Sequence, residues 1–168
     1  PGMLCAEKPP LRLWVYNHPM VGISDQVDFF VEALRQYGYV VTVSNQPSNT
    51  ALNVVIENFS AGNRDKLISF CRSTGKKISV IMTEHLDFIE GQLFIHGDPL
   101  WNENDYMDPA LQANRFRFLF DCTPWIKCFF VLGDLPELRG FSDLLPRMHV
   151  HAIPFPRIAI VRANPEMN

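Results

Sequence analysis

The sequence predicts an α/β protein: a Rossmann-like three-layer α/β/α sandwich around a mostly parallel sheet of about six strands. Three observations carry this. Apolar, β-branched runs recur at LRLWVY (11–16), YVVTVS (39–44), LNVVIE (52–57), KISVIMT (77–83), CFFVL (128–132) and within MHVHAIPFP (148–156). Stretches with helical spacing separate several of them. The runs are also apolar on consecutive positions, as burial on both faces of a parallel sheet requires.

The first helix is predicted over SDQVDFFVEALRQYG (24–38). Ser24 or Asp25 can cap it, and Asp28 lies early enough to favour the dipole. Val27, Phe30, Val31, Leu34 and Tyr37 form an apolar face at helical spacing, and Gly38 stops the helix. A second helix runs from about Asn63 to Ser73, with Leu67, Ile68, Phe70 and Cys71 inward and Gly75 beyond its end. The strand after it, Ile78 to Met82, is apolar enough to be central. From Glu84 to Pro109 the rhythm breaks into a Gly-, Pro- and Asp/Asn-rich stretch that reads as a long functional loop, in which Leu93–Ile95 is a short strand or part of a flap. Pro109 suits the first turn of a third helix capped by Asp108 and carrying Leu111, Phe116, Leu119 and Phe120. Residues 134–146 read as short helical turns before the last strand. Residues 1–10 form a disordered or tag-like lead-in, 11–157 the domain, and 158–168 a tail or the start of a linker.

Composition narrows the function classes. The 168 residues carry a net charge of −3 and a pI near 5.9. With no basic stripe, nucleic acid is not an expected partner. No apolar run approaches the roughly 18–20 residues of a membrane span, and no secretory leader opens the chain, so a cytoplasmic location is expected. The four cysteines, Cys5, Cys71, Cys122 and Cys128, form no C-x-x-C pair, which suggests reduced, mostly buried thiols rather than disulfides or zinc ligands. YNHPMVG (16–22) stands where a dinucleotide fingerprint would be, and no P-loop or G-x-S-x-G elbow occurs. Tyr16-Asn17 and Glu57-Asn58 stand where a phosphorelay receiver needs its aspartates.

In such a sheet, function sits in the loops leaving the carboxyl ends of the strands. Asn17 and His18 follow the first strand, and a neutral imidazole there is suited to general-base work near neutral pH. Equally, His18 before a proline fixes turn geometry. Glu57 and Asn58 end the third strand, able to hydrogen-bond a sugar hydroxyl or, through Asn58 or Ser60, to cap the second helix. Glu84, His85 and Asp87 follow the most apolar strand; a carboxylate can set the tautomer of the imidazole, but Glu84 and His85 face opposite sides unless a turn begins there. Trp101 and Tyr106 can stack on a sugar or pin their loop. His96, Asp98, Glu103 and Asp105 match no metal-site spacing, so no metal is expected. His149 and His151 share one side of a strand and read as a packed edge. In RFRFLF (115–120) the two arginines make no common basic face on a helix, so core packing is the expectation.

The order of pieces from LRLWVY through DQVDFFVEALRQYG, YVVTVS, NVVIENFS, ISVIMTEHLDF and FFVLGDLPELRGF to VHAIPFP resembles the N-terminal, acceptor-side Rossmann-like domain of GT-B glycosyltransferases over residues 11–157. Gly22 falls in the glycine-containing loop after the first strand. The resemblance implies a sugar or glycoconjugate acceptor, with His18, His85, Glu84 and Asp87 as catalytic candidates and Asn17, Gly22, Glu57, Asn58 and Trp101 as substrate-binding ones. It also implies that the nucleotide-sugar donor is held by a second domain, so this chain binds no cofactor and is inactive alone. A homo-oligomer or that second domain is the implied protein partner. A non-catalytic Rossmann-like binding or regulatory module is the alternative.

Overall fold

The computed structural model describes residues 7–15, 23–56, 60–82, 86–90, 92–95, 98–101, 108–132 and 149–153. The main sheet is built from β1 (Leu11–Val15), β2 (Val41–Ser44), β3 (Leu52–Ile56), β4 (Ile78–Met82), β8 (Ile126–Leu132) and β9 (His149–Ile153). Its order is β2-β1-β3-β4-β8-β9, and every neighbouring pair is parallel. The predicted parallel sandwich is therefore present, and β1 and β4 are interior as their two-sided apolar character requires.

Helices cover both faces. α1 (Ile23–Gln36) packs Val27, Phe30 and Val31 on Leu11, Leu13, Val41, Ile56 and Ile81. α2 (Ala61–Thr74) and α3 (Pro109–Cys122) pack on the other face, where Leu67, Cys71, Leu119 and Cys122 meet Trp14, Val55, Val80 and Phe129. The assignment to faces follows from handedness. The crossover from β1 to β2 runs one way along the sheet and that from β3 to β4 runs the other, so right-handed connections put α1 and α2 on opposite sides.

The crossover from β2 to β3 has no helix. Residues 45–51 run over the α2 face of β1, where the indole Nε1 of Trp14 donates to the Asn45 carbonyl at 3.2 Å. Lys66 of α2 donates to the same carbonyl at 2.8 Å. Arg12 spans the junction, donating to the Thr42 hydroxyl at 2.8 Å and to the Gln46 carbonyl at 3.0 Å.

The helix ends show which local signals held. Ser60, rather than Asn58, caps α2, its hydroxyl accepting from the Asn63 amide; Gly75 closes the helix at φ 68° with its amide on the Cys71 carbonyl. Asp108 caps α3 by accepting from the Ala110 amide, with Pro109 in the first turn. α1 differs from expectation. It begins at Ile23, so Ser24 and Asp25 lie in its first turn and neither is the cap.

Three apolar assignments also need correction. Tyr37 follows the end of α1 and is 73% exposed; Leu111 and Phe120 of α3 are 44% and 39% exposed. In α3 the position that is buried instead is polar: Gln112 is fully buried and accepts a hydrogen bond from Arg115 at 2.9 Å.

The long stretch after β4 is not a plain loop. It forms a small antiparallel sheet of β5 (Leu86–Ile89), β6 (Gln92–Ile95) and β7 (Asp98–Pro99). Ile89 pairs with Gln92, so the two strands are joined by a tight turn entered at Glu90. Glu90 has φ 51°, the positive value a primed turn demands of its first central residue. The Phe, Leu and Ile residues flanking it supply the strand propensity that the many Gly, Pro and Asp residues disguise.

Candidate functional site

The register aligns the carboxyl ends of three neighbouring strands: Val15 pairs with Ile56, and Ile56 pairs with Ile81. Between β1 and β3 the connections diverge, to α1 on one face and to α2 on the other. This is the topological switch point, where open α/β sheets leave a crevice for a ligand at their carboxyl edge. The strand order here follows the flavodoxin-like pattern, with one further strand at the end, rather than the 3-2-1-4-5-6 order of dinucleotide-binding domains.

The chain continues from these aligned ends into the segments that hold most of the sequence-derived candidates. Asn17, His18, Gly22, Glu57, Asn58, Glu84 and His85 all lie outside the described residues. What the strands establish is that these segments start from neighbours in one sheet, on one edge. Asp87 belongs to β5, where its backbone pairs with Phe94. Trp101 follows β7 and is 41% exposed, while its neighbour Leu100 is buried in the core beside α3. Trp101 thus presents surface for stacking, Leu100 packs this segment on the core, and Tyr106, the other aromatic residue expected to stack or pin, lies outside the described residues.

The other polar constellations resolve into structure. His149 and His151 pair along the backbone with Cys128 and Phe130, and the His151 ring stacks on Phe130 with centroids 5.6 Å apart. Among the described residues no group of His, Cys, Asp and Glu could hold a metal ion, and no helix is long and apolar enough to cross a membrane. Arg64 ties α2 to α3, binding Asp65 at 2.9 Å and Asp121 at 3.1 Å while its guanidinium lies 4.8 Å over the Phe118 ring. Asp65 first and then Asp121 raise its pKa, so it is a fixed cation in a structural tie.

Burial pushes the thiols of Cys71 and Cys122 up to about 11 and about 12. Both are poor nucleophiles at neutral pH, because the thiolate is the reactive form. Cys71, Cys122 and Cys128 are all free, and only Cys128 of the three is not buried.

One feature escaped the sequence. A groove of about 520 Å³ lies between α1 and the neighbouring strands β3, β4 and β8. Its wall includes Phe30, Ala33 and Leu34, its floor includes Val54, Ile81 and Phe130, and Lys77 and Lys127 stand at the amino ends of their strands. No single segment signals it, since its lining comes from five elements, Leu11 of β1 among them. Comparison with known proteins finds no matching family model, no matching curated protein and no matching solved structure.

Proposed function

We propose that the protein is a Rossmann-like module that binds a small polar ligand at the carboxyl edge of β1 and β3, and that this ligand is a sugar acceptor. The observation that supports the reading is the switch point itself, formed where the paired ends Val15 and Ile56 send their connections to opposite faces. The residues that follow suit a hydroxyl-rich ligand. Asn17, Glu57 and Asn58 supply donors and acceptors, and His18 and His85 supply an imidazole able to take a hydroxyl proton.

In this reading the chain is the acceptor-side half of a GT-B-type glycosyltransferase. It orients the acceptor, while the donor diphosphate is neutralised by a second domain. The proton from the attacking hydroxyl passes to His18 or His85 as the acceptor oxygen bonds to the donor's anomeric carbon and the nucleotide diphosphate leaves.

Calorimetry on the 168-residue chain tests this. Methyl glycosides should bind saturably and at least ten-fold more weakly to Asn58→Ala, whereas nucleotide-sugars should show negligible affinity. Tight nucleotide-sugar binding by this chain would contradict the division of labour.

A further inference from the structure

Doubly wound sheets bury both faces under helices, yet here the described elements leave the α1 face beyond α1 partly open. The groove occupies that space. Its polar groups are unevenly distributed. Toward the carboxyl ends of the strands it is apolar, with Phe29, Phe30, Ile81 and Phe130; at the amino ends stand Lys77, just before β4, and Lys127 in β8.

These two lysines belong together. Ile78 pairs with Ile126 and Ser79 with Cys128, so Lys127 is the extra residue of a bulge between adjacent strands. A bulge re-aims the side chain it carries, and Lys127 accordingly lines the groove beside Lys77. Neither lysine makes a hydrogen bond or ion pair among the described residues. Other exposed lysines are engaged: Lys8 with the Tyr37 carbonyl, Lys66 with Asn45 and Lys76 with Asn49.

We infer that this groove is a second ligand site that takes an acyl carboxylate, with the chain lying along Val54, Ile81 and Phe130 and the carboxylate between Lys77 and Lys127. Size and chemistry agree. Small-molecule sites run to roughly 300–1,000 Å³, mostly apolar with a few convergent polar groups. The strand from Lys77 to Ile81 rises about 13 Å, room for a medium-length acyl chain. The site is independent of the sugar reading, because it opens on a face of the sheet and its cations stand at the opposite ends of the strands.

The probe is laurate below its micelle concentration, followed by calorimetry and by alkylation of Cys128, which lines the groove. Saturable laurate binding should slow Cys128 alkylation at least ten-fold, read on the Cys128 peptide by mass spectrometry. Lys77→Gln with Lys127→Gln should weaken laurate at least ten-fold, and Ala33→Trp should abolish binding by filling the wall, both with an unchanged circular dichroism spectrum. Dodecyltrimethylammonium, with the same tail and the opposite charge, should not protect Cys128. Four results would overturn the assignment: no saturable laurate binding, equal protection by the cation, affinity unchanged in both variants, or Cys128 masking that rises with protein concentration without laurate, which would make a second copy the occupant.

Discussion

Asn53 and Ser48 are clasped reciprocally: the Ser48 amide donates to Asn53 Oδ1 at 2.7 Å, and Asn53 Nδ2 donates to the Ser48 carbonyl at 2.8 Å. Asn53 is 4% exposed, so its amide imitates a strand partner in a dry setting. The clasp holds the helix-less crossover against the start of β3. It thereby fixes the register that brings Val15 beside Ile56 at the other end of the strands.

Asn53→Ala leaves the Ser48 amide and carbonyl without these partners. We expect a loss of about 2 kcal/mol, since an orphaned buried polar group costs roughly 1–3 kcal/mol. That corresponds to a fall in Tm of about 4–8 °C for a domain of this size. Asn53→Asp, which keeps the acceptor only, should fall between. Urea melts showing Asn53→Ala within about 0.5 kcal/mol of the parent, the range of ordinary surface changes, would remove the clasp from the account.

Gly75 ends α2 in the left-handed region, and a Cβ built there meets nothing within 4 Å. The cost of Gly75→Ala is therefore conformational, about 1–2 kcal/mol, and Gly75→Asn should recover part of it because Asn tolerates this conformation. Equal losses for the two variants would point to a steric cause instead.

Leu67 is fully exposed to its neighbours and not at all to water, at 0% in the cluster with Trp14 and Phe129. Leu67→Ala should cost about 2–5 kcal/mol through lost transfer energy and the cavity left behind. A loss below about 1 kcal/mol would mean that α2 relaxes onto the sheet.

The buried thiols set an alkaline limit on stability. Cys71 and Cys122 titrate at about 11 and about 12 when folded, against 9.0 for a free thiol, because burial disfavours the thiolate. A raised folded value means that the unfolded chain loses these protons first. Their contribution is complete below pH 9 and declines as pH rises through the folded values. Denaturant midpoints should therefore fall between pH 9 and 11 in the parent, and fall less in Cys71→Ala with Cys122→Ala. An identical decline in that variant would assign the effect to other groups.

Much of this architecture was legible because local and global signals agree. The runs LRLWVY and KISVIMT are apolar on consecutive positions, which only an interior parallel strand needs, and Asp108-Pro109 and Gly75 mark helix ends through fixed backbone chemistry. Apolar character alone misled where packing decides. Leu111 and Phe120 stand about 180° apart around the helix, so one face cannot bury both, and α3 turns Leu119 and Gln112 inward instead. Of the β5–β6 hairpin, Leu93–Ile95 was legible as a short strand and is part of β6, whereas its partner β5 hid in a segment dominated by turn formers. The groove was illegible because its wall, floor and cations come from residues brought together by topology alone. Of the candidate site, the common edge was readable from the strand-helix alternation, whereas the strand order that creates the switch point is a long-range property.

Ligand binding at the β1/β3 carboxyl edge is read out residue by residue in an amide-resolved NMR titration with methyl glycosides. Saturable shifts are expected for the Val15 and Ile56 amides and for the segments that follow them, with Lys77, Lys127 and Ala33 unmoved and with the shifts lost in Asn58→Ala. Saturable shifts confined to α2, α3 or the α1 groove, or none at any glycoside concentration, would contradict it.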